Sequence, residues 1–312
     1  MEKLANAKYN FGYWNLILSD AERNPIILIN SKSRRGASWA KIVTSSAAAH
    51  GIQVLRPKSA SHFQAALARE IQSGRTEIWI GGGDGTVRQA AKQIVGKEIV
   101  LGILPLGTGN ALGNELGIPA NPTTVVDFLL TQAVRKPIDV GRFGNEVFVN
   151  VATQGLTAGI ALNLCADQKR TFGRFVYFPA MFRAVKSLRP TRIKIESEEG
   201  NFNGKILQFV AASTKFHGGL FAASPTSSIN DGKLSVYVVG FSKKVDVFRY
   251  FWAMARGRHT ELESVWTIDT AKLKVTLPRR RTFVLDGDFV RCRQATLEVV
   301  ASGLTVLAAP GS

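Results

Sequence analysis

The sequence has few cysteines, no long apolar segment and no histidine spacing typical of a metal site. Its two cysteines, Cys165 and Cys292, exclude a disulfide framework and favour a reducing compartment. No stretch approaches the ~20 apolar residues that a membrane-spanning helix needs. Residues 1–23 lack the basic start and apolar centre of a secretory signal. We therefore expect a soluble, cytoplasmic protein.

Acidic residues are also scarce, because 40 lysines and arginines accompany only 23 aspartates and glutamates, a net charge of +17. Most of this excess lies after residue 139. A positive surface attracts polyanions such as nucleic acids, nucleotides or an anionic membrane. No basic-aromatic nucleic-acid motif stands out, so nucleic acid is not an expected partner. The length of 312 residues favours about two domains.

The first half of the chain alternates apolar runs with amphipathic segments. This alternation predicts an α/β domain whose parallel sheet carries helices on both faces. The predicted strands are Ile26–Asn30, Ile52–Leu55, Glu77–Ile80 and Ile99–Leu104. The predicted helices are Ser38–Gly51, Ser61–Ser73, Val87–Val95 and Thr123–Thr131.

From residue 146 onward the pattern predicts a mainly antiparallel β domain with turn signals between its strands. Its predicted strands are Glu146–Ala152, Arg192–Glu196, Lys205–Ser213, Lys233–Val239, Lys272–Leu277, Thr282–Leu285 and Ala295–Ala301. Turns are predicted at Glu199-Gly200-Asn201, Asn203-Gly204 and Asp231-Gly232, and helices at Thr171–Leu188 and Val245–Gly257. The predicted domains are an N-terminal extension at 1–23, an α/β nucleotide-binding domain at 24–142, which 303–312 could complete, and a β-rich domain at 143–302.

A glycine-rich motif, Gly81-Gly82-Gly83-Asp84-Gly85-Thr86, joins a predicted strand to a predicted helix. Glycines let backbone N–H groups approach a phosphate, and the helix N-terminus adds positive potential. No Gly-Lys-Ser/Thr follows, so the motif is not a Walker P-loop. Tight turns also require glycine for steric reasons, and this motif alone leaves that alternative open.

Two further polar loops follow the neighbouring strands. Leu104-Pro105-Leu106-Gly107-Thr108-Gly109-Asn110 follows one strand, and Asn30–Gly36 follows the first. All three loops should open on the carboxyl edge of one parallel sheet, where ligands bind in open α/β folds. Their convergence predicts a nucleoside triphosphate site.

Together these motifs resemble the diacylglycerol kinase catalytic-domain family, which includes bacterial lipid kinases and the sphingosine and ceramide kinases. The resemblance rests on GGGDGT, PLGTGN, the early N-x-x-S-x-x-G loop, and Asp139-Val140-Gly141 followed by Phe148-Val149-Asn150. It spans roughly residues 25–310. It implies ATP- and Mg2+-dependent phosphorylation of a membrane-lipid hydroxyl, in a two-domain architecture similar to that of lipid kinases and NAD kinases. The β-rich domain would then bind the lipid substrate.

The resemblance also assigns site residues. Asp288 matches the catalytic base, at a position that is usually Glu, and Asp286 and Asp84 join it as catalytic residues. Asp139 and Asp231 match metal-site positions. The residues implied to bind ATP or its Mg2+ are Asn30, Ser33, Arg34, Gly82, Gly83, Asp84, Gly85, Thr86, Gly107, Thr108 and Asn110. An ordinary turn remains the alternative for Asp231-Gly232, and a hairpin between Thr282–Leu285 and Phe289–Arg293 for Asp286-Gly287-Asp288.

The chain departs from the family pattern at several positions. Arg88 and Gln89 stand where members often have Asn-Glu, Ala111 stands where an acidic residue is common, and Thr157 interrupts a G-F-D-A sequence. Gly109-Asn110-Ala111-Leu112 is similar to the sphingosine- and ceramide-type relatives. The departures therefore indicate a sphingoid or ceramide-like acceptor, with diacylglycerol still open, or weakened catalysis.

Basic and aromatic residues suggest the membrane contact. They interleave in Thr171–Leu188 and Val245–Arg258, and Arg279-Arg280-Arg281 adds a further basic run. Such segments favour peripheral association with the anionic inner face of a membrane, although solvated basic surfaces are the alternative. A homodimer is left open. A non-catalytic lipid- or nucleotide-binding module and an NAD kinase stay as alternative functions.

Overall fold

A computed structural model describes residues 23–30, 33, 36–156, 190–214, 216–217, 221–222, 228–240, 262 and 264–312. The helices in these residues are α1 (Gly36–Ala49), α2 (Ala60–Gln72), α3 (Asp84–Ile94), α4 (Ala111–Glu115) and α5 (Val125–Thr131). The strands are β1 (Ile26–Ile29), β2 (Gln53–Leu55), β3 (Glu77–Gly82), β4 (Val100–Pro105), β5 (Val134–Phe143), β6 (Glu146–Phe148), β7 (Val151–Gly155), β8 (Thr191–Glu196), β9 (Asn201–Ala212), β10 (Phe216–His217), β11 (Phe221–Ala222), β12 (Leu234–Gly240), β13 (Val265–Thr270), β14 (Lys272–Leu285) and β15 (Asp288–Ala308).

Four parallel strands form the first part of the sheet, in the order β4-β3-β1-β2. The apolar runs of β1, β3 and β4 are buried along their whole length. Strands buried on both faces need helices above and below them, and the alternating helices supply this cover. The arrangement brings the carboxyl ends of β1, β3 and β4 to one edge.

The 21-residue strand β15 joins this parallel part to the antiparallel part. Its first half pairs with β14, and its second half pairs with β5 and, in parallel, with β4. Leu304, Val306 and Leu307 pack into the hydrophobic core of the parallel part. One hydrogen-bonded sheet therefore connects the two halves of the chain.

The second half closes a ring of strands around a separate core. Strand β9 pairs with β8 through its first residues and with β7 through its last residues. Strand β14 likewise pairs with β8 near its start and with β7 at its end. Phe209 and Phe283 fill the interior, where their rings meet edge to face at 6.1 Å. The end of β14 and the start of β15 pack against this core through Phe283, Leu285 and Val290, so the core also positions the hairpin that joins the two strands.

Several predicted elements differ from the observed ones. Strand β5 was not predicted because it starts with the polar or strand-breaking residues Arg135, Lys136 and Pro137, yet it pairs with β15. The predicted turn at Asn203-Gly204 lies inside β9. The two predicted strands on either side of residues 279–281 are one strand, β14, whose register shifts against β15 between Thr276 and Arg281.

Helix α4 was not predicted because it has only five residues, and the predicted strand Glu146–Ala152 divides into β6 and β7. The predicted helices Thr171–Leu188 and Val245–Gly257, together with Arg34 and Thr157, lie outside the described residues. Within the part of the chain that the structure describes, no helix is both long and apolar enough to cross a bilayer.

A buried ionic cluster stabilises the amino end of β3. Glu77 is 2% exposed and accepts hydrogen bonds from Arg23, at 2.5 Å, and from the indole N–H of Trp79, at 2.8 Å. The Arg23 guanidinium also donates to the carbonyl oxygens of Leu129 and Leu130 at the end of α5. The cluster therefore fixes the chain before β1 against both β3 and α5.

Glu77→Gln should lower the free energy of unfolding by about 3 kcal/mol, because it leaves a buried guanidinium without its carboxylate. Urea denaturation measures the change. The matched control is Glu98→Gln, which removes an exposed carboxylate and should cost less than about 0.5 kcal/mol. Equal losses for the two variants would contradict the structural role of the cluster.

Candidate active site

Two glycine-rich loops meet at the carboxyl edge of the parallel sheet. Strand β3 continues through Gly82, Gly83 is the N-cap of α3, and Gly107 lies in the loop after β4. A Cβ on Gly107 would lie 2.4 Å from the Gly83 Cα atom, and one on Gly82 would lie 2.5 Å from the Thr86 Cβ atom. The backbones of the two loops therefore touch. A side chain at Gly107 would separate them, and one at Gly82 would displace Thr86 at the start of α3.

The loop after β1 is joined to the same edge. The Asn30 N–H donates to the Gly81 carbonyl oxygen at 2.8 Å, and its side-chain amide donates to the Thr86 hydroxyl at 2.9 Å. The Ser33 hydroxyl donates to the Asn30 carbonyl oxygen at 2.8 Å. The structure thus brings Asn30, Ser33 and Thr86 together beside the glycines.

Asp84 and Asn110 hold the second loop in shape. An oxygen of the Asp84 carboxylate accepts the Ala111 N–H at 2.6 Å, where α4 begins. Asn110 adopts a left-handed conformation with φ of 49°, and its side-chain oxygen accepts the Gly107 N–H at 2.8 Å. Burial raises the pKa of Asp84, and the backbone N–H groups at the start of α4 oppose this rise. Thr108 is exposed between these two fixed points.

Asp286 lies at the tip of the hairpin between β14 and β15. Asp286 and Gly287 have φ values of 48° and 101°, as a two-residue turn of the mirror-image type requires, so the predicted hairpin is confirmed. The same carboxylate accepts the N–H groups of Val149, Asn150 and Val151 at 2.7, 3.1 and 2.8 Å. The turn is therefore also an anchor, and a structural role does not exclude a functional one.

Burial has the largest effect on the Asp286 carboxyl and raises its pKa to about 6. The N–H bonds from Val151 and Val149 and the charge of Arg88 lower the pKa by smaller amounts. The charge of Asp84 raises it further. Asp84, Asp286 and Arg88 thus lie within electrostatic reach of one another, although they belong to distant parts of the sequence.

Asp288, two residues later, is paired with Arg88 from α3. Arg88 is 5% exposed, contacts the Asp288 carboxylate, and donates to the Glu146 carboxylate at 3.0 Å and to the Val147 carbonyl oxygen at 2.7 Å. Lys92 binds the other oxygen of Glu146 at 2.7 Å. The hydrogen bond from Lys92 and the charges of both cations lower the pKa of Glu146 despite its partial burial.

Asp139 and Asp231 meet at a different place. The Asp139 carboxylate accepts the Gly232 N–H at 2.6 Å and the Ser302 N–H at 2.8 Å. Asp231 accepts the N–H groups of Ser228 and Lys233 within the turn beside Asp139. The structure brings these two aspartates to one joint between β5, β15 and the segment before β12. Among the described residues, no three His, Cys, Asp or Glu side chains cluster as metal ligands would.

The sequence motifs mark Arg88 only as a departure from the family pattern and do not point to Glu146 or Lys92. A local signal was available, because Arg88 and Lys92 are four residues apart in α3 and share one face of the helix. The carboxylates that pair with them lie in β6 and β15, and nothing in the sequence links these elements to α3.

The raised pKa of Asp286 predicts a pH-dependent stability. The unfolded aspartate titrates near 3.8, so the folded chain binds this proton more tightly. The resulting stabilisation is complete below about pH 4 and is lost as the pH rises through about 6, a change of about 3 kcal/mol. Asp286→Asn should therefore lack this decline in the free energy of unfolding, as measured by urea denaturation between pH 4 and 7.

Glu198→Gln, which removes an exposed carboxylate from the turn between β8 and β9, should keep the original slope. Parallel slopes for the unaltered chain and Asp286→Asn would contradict the assignment. The measurement is made without divalent cations, so that only the proton is exchanged.

Comparison with known proteins agrees with this geometry. Residues 24–143 match the diacylglycerol kinase catalytic domain, and residues 150–308 match the YegS C-terminal NAD kinase beta sandwich-like domain. The diacylglycerol kinase of Bacillus subtilis (strain 168) is 27% identical over 68% of this chain and 71% of its own length. The diacylglycerol kinase of Mycobacterium tuberculosis (strain H37Rv) is 29% identical over 77% and 79%.

A solved structure shows the same fold. The crystal structure of a diacylglycerol kinase from Bacillus anthracis (strain Sterne) superposes with a TM-score of 0.75 at 18% identity, over 92% of this chain and 98% of that one. The two family matches together span nearly the whole described sequence. The chain therefore belongs to the diacylglycerol kinase catalytic-domain family and is a lipid kinase, a phosphotransferase that acts on an alcohol group.

Proposed function

We propose that this chain transfers the γ-phosphoryl group of ATP to a hydroxyl of a membrane lipid, with Mg2+ present. One observation carries the proposal: the two glycine loops touch backbone to backbone beside Asp84, whose charge acts on Asp286 in the hairpin that also carries Asp288. Backbone N–H groups for phosphates and carboxylates for a proton and a cation are the parts that phosphoryl transfer needs.

The triphosphate of ATP would lie along the two glycine loops. Helix α3 has eleven residues and begins at this edge, so its N-terminus adds positive potential to the backbone N–H groups. A Cβ at Gly85 would meet no atom within 4 Å, so the space in front of this residue is open. Thr86, Thr108 and Asn30 border the loops, and Arg34, which the resemblance also implies, lies outside the described residues.

The donor set at this edge fits Mg2+. Carboxylate oxygens are hard ligands, and Mg2+ in kinases is held by one or two of them together with phosphates. Asp84 raises the pKa of Asp286, and a cation between the two carboxylates would relieve this repulsion. Asp84 and Asp286 would therefore hold the ion, which supplies charge neutralisation to the phosphates. Asp139 and Asp231 lie at a separate joint of the sheet, where they also accept backbone N–H groups.

Asp288 would act as the general base. One of its oxygens is paired with Arg88, and its side chain is 49% exposed, so the other oxygen can face an incoming hydroxyl. As the lipid oxygen bonds to the γ-phosphorus, the bond from that phosphorus to the ADP oxygen breaks, and the hydroxyl proton moves to Asp288. Arg88 would fix the carboxylate without taking the proton, since guanidinium stays charged.

The lipid would be reached at the surface of an anionic membrane. Exposed basic residues lie on β8, β14 and β15, and three of them, Arg192, Lys194 and Arg293, line a groove together with Leu277 and Pro278. A basic face with an apolar groove suits anionic head groups above acyl chains. Peripheral association with the inner face of the membrane would use this surface. The basic residues are Arg192, Lys194, Arg279, Arg280, Arg281 and Arg293.

Asp288→Asn should reduce kcat for lipid phosphorylation by at least about 100-fold and leave ATP affinity unchanged, because only the proton acceptor is lost. Transfer from labelled ATP to lipids in mixed micelles measures kcat, and equilibrium binding measures ATP affinity. Glu298→Gln, also on β15, is the matched control and should keep its activity.

Unchanged turnover in Asp288→Asn would remove this residue from catalysis. ATP binding without transfer to any lipid, in the unaltered chain, would favour the non-catalytic alternative. Transfer to NAD would instead favour an NAD kinase.

Arg279→Glu together with Arg281→Glu should weaken binding to vesicles that contain anionic lipid by about tenfold or more, because each basic residue near such a surface contributes about 1 kcal/mol. Co-sedimentation measures the binding. Lys58→Glu with Lys97→Glu makes the same change in net charge on exposed parts of the α/β region and should have a smaller effect. Vesicle binding that changes neither with salt concentration nor in either double variant would contradict an electrostatic contribution of this surface.

A further inference from the structure

A cavity lies beside Asp288, and none of its lining residues belongs to the glycine loops. The cavity measures about 640 Å³, within the range of small-molecule sites. Helices α2 and α3 form one wall, and Glu146 and the start of β15 form the other. Because Asp288 belongs to this lining, a molecule in the cavity would lie within reach of the proposed base.

The charged groups that face the cavity compensate one another. Arg88 contacts both Asp288 and Glu146, and Lys92 binds Glu146 as well. Two cations thus face two anions, although the whole chain carries a net charge of +17. In the described lining, each cation has a carboxylate partner. The cavity therefore offers little to a phosphate, a carboxylate or a free amine.

Three glutamine side chains and the Ser61 hydroxyl supply the remaining polarity. The Gln93 amide donates to the side-chain oxygen of Gln64, and the Gln64 amide donates to the side-chain oxygen of Gln89 at 3.0 Å. The amides therefore form a directed chain between α2 and α3. At one end is the Gln89 amide nitrogen, a donor, and at the other is the Gln93 amide oxygen, an acceptor. A neutral hydroxyl or amide, which both donates and accepts, matches these two ends.

An apolar rim adjoins this polar lining. Phe289 is 51% exposed, which is unusual for a side chain of its size, and it lines the cavity together with Val290. An amphipathic molecule could place its polar end among the amides and its hydrocarbon against Phe289.

We propose that this cavity binds the head group of the acceptor lipid, and that this head group is uncharged and carries a hydroxyl or amide besides the reacting hydroxyl. The inference rests on the proposed function, because the reacting hydroxyl is the one that meets Asp288. It goes further by naming the acceptor class: monoacylglycerol- or ceramide-like lipids, ahead of diacylglycerol and of cationic sphingosine.

The test compares kcat/KM for monoacylglycerol, ceramide, diacylglycerol and sphingosine in mixed micelles, for the full chain and three variants. Gln93→Leu should raise KM for monoacylglycerol or ceramide about three- to tenfold, the effect of a lost hydrogen bond, and leave KM for ATP unchanged. Gln72→Leu, at an exposed position of α2, is the matched control and should change neither value. Thermal unfolding checks that the variants fold.

A third variant should increase activity towards one lipid, a result that misfolding would not produce. Gln93→Glu adds a negative charge to the cavity and should raise kcat/KM for sphingosine relative to ceramide by about threefold or more, because the sphingosine amine is a cation.

Preference for diacylglycerol over both other neutral lipids, or variants that behave as Gln72→Leu does, would overturn the inference while the lipid kinase assignment stands. No transfer to any lipid would overturn both. The two failures are therefore distinguishable in one assay.

Discussion

The Asp286 carboxylate is the interaction on which the geometry of the site depends. It belongs to a two-residue turn, yet it accepts three N–H groups from Val149–Val151, in the connection between β6 and β7. The tip of the long β14–β15 hairpin is thereby fixed against the junction of the two halves of the chain. Asparagine could make the same turn, but only an ionised carboxylate accepts three N–H groups with charge assistance. Asp288 follows directly, so its position beside α3 is a consequence of this anchor.

A second constraint is steric and acts at the other side of the site. The loops after β3 and β4 touch at Gly83 and Gly107, and the side chains of Asp84 and Asn110 then hold the second loop by its backbone N–H groups. Polar side chains that hold backbone in this way leave the outer N–H groups available to a ligand. Burial raises the pKa of Asp84 because it disfavours the ionised carboxylate, and an adjacent cation would stabilise that ionised form.

Local signals in the sequence predicted most of the first half of the chain. Buried strands such as β1 are continuous apolar runs, and the glycine motifs mark the loops because their chemistry is local. The second half was harder, because its strands are defined by long-range pairing. The polar start of β5 and Arg281 of β14 contradict a strand pattern, and both pair with β15. The pairs between Arg88, Glu146 and Asp288 escaped prediction for the same reason, since 200 residues separate Arg88 from Asp288.

These pairs bear on what the departures from the family pattern mean. Loss of activity by drift would leave an unusual residue such as Arg88 without matched partners, because a buried guanidinium is costly unless each donor is satisfied. Here it has two carboxylates and a carbonyl oxygen, and Gln89, the neighbouring departure, belongs to the amide chain beside it. Both departures face one cavity and complement one another. Matched residues around Asp288, which keeps a carboxylate where the family usually has Glu, favour altered acceptor specificity over decayed catalysis.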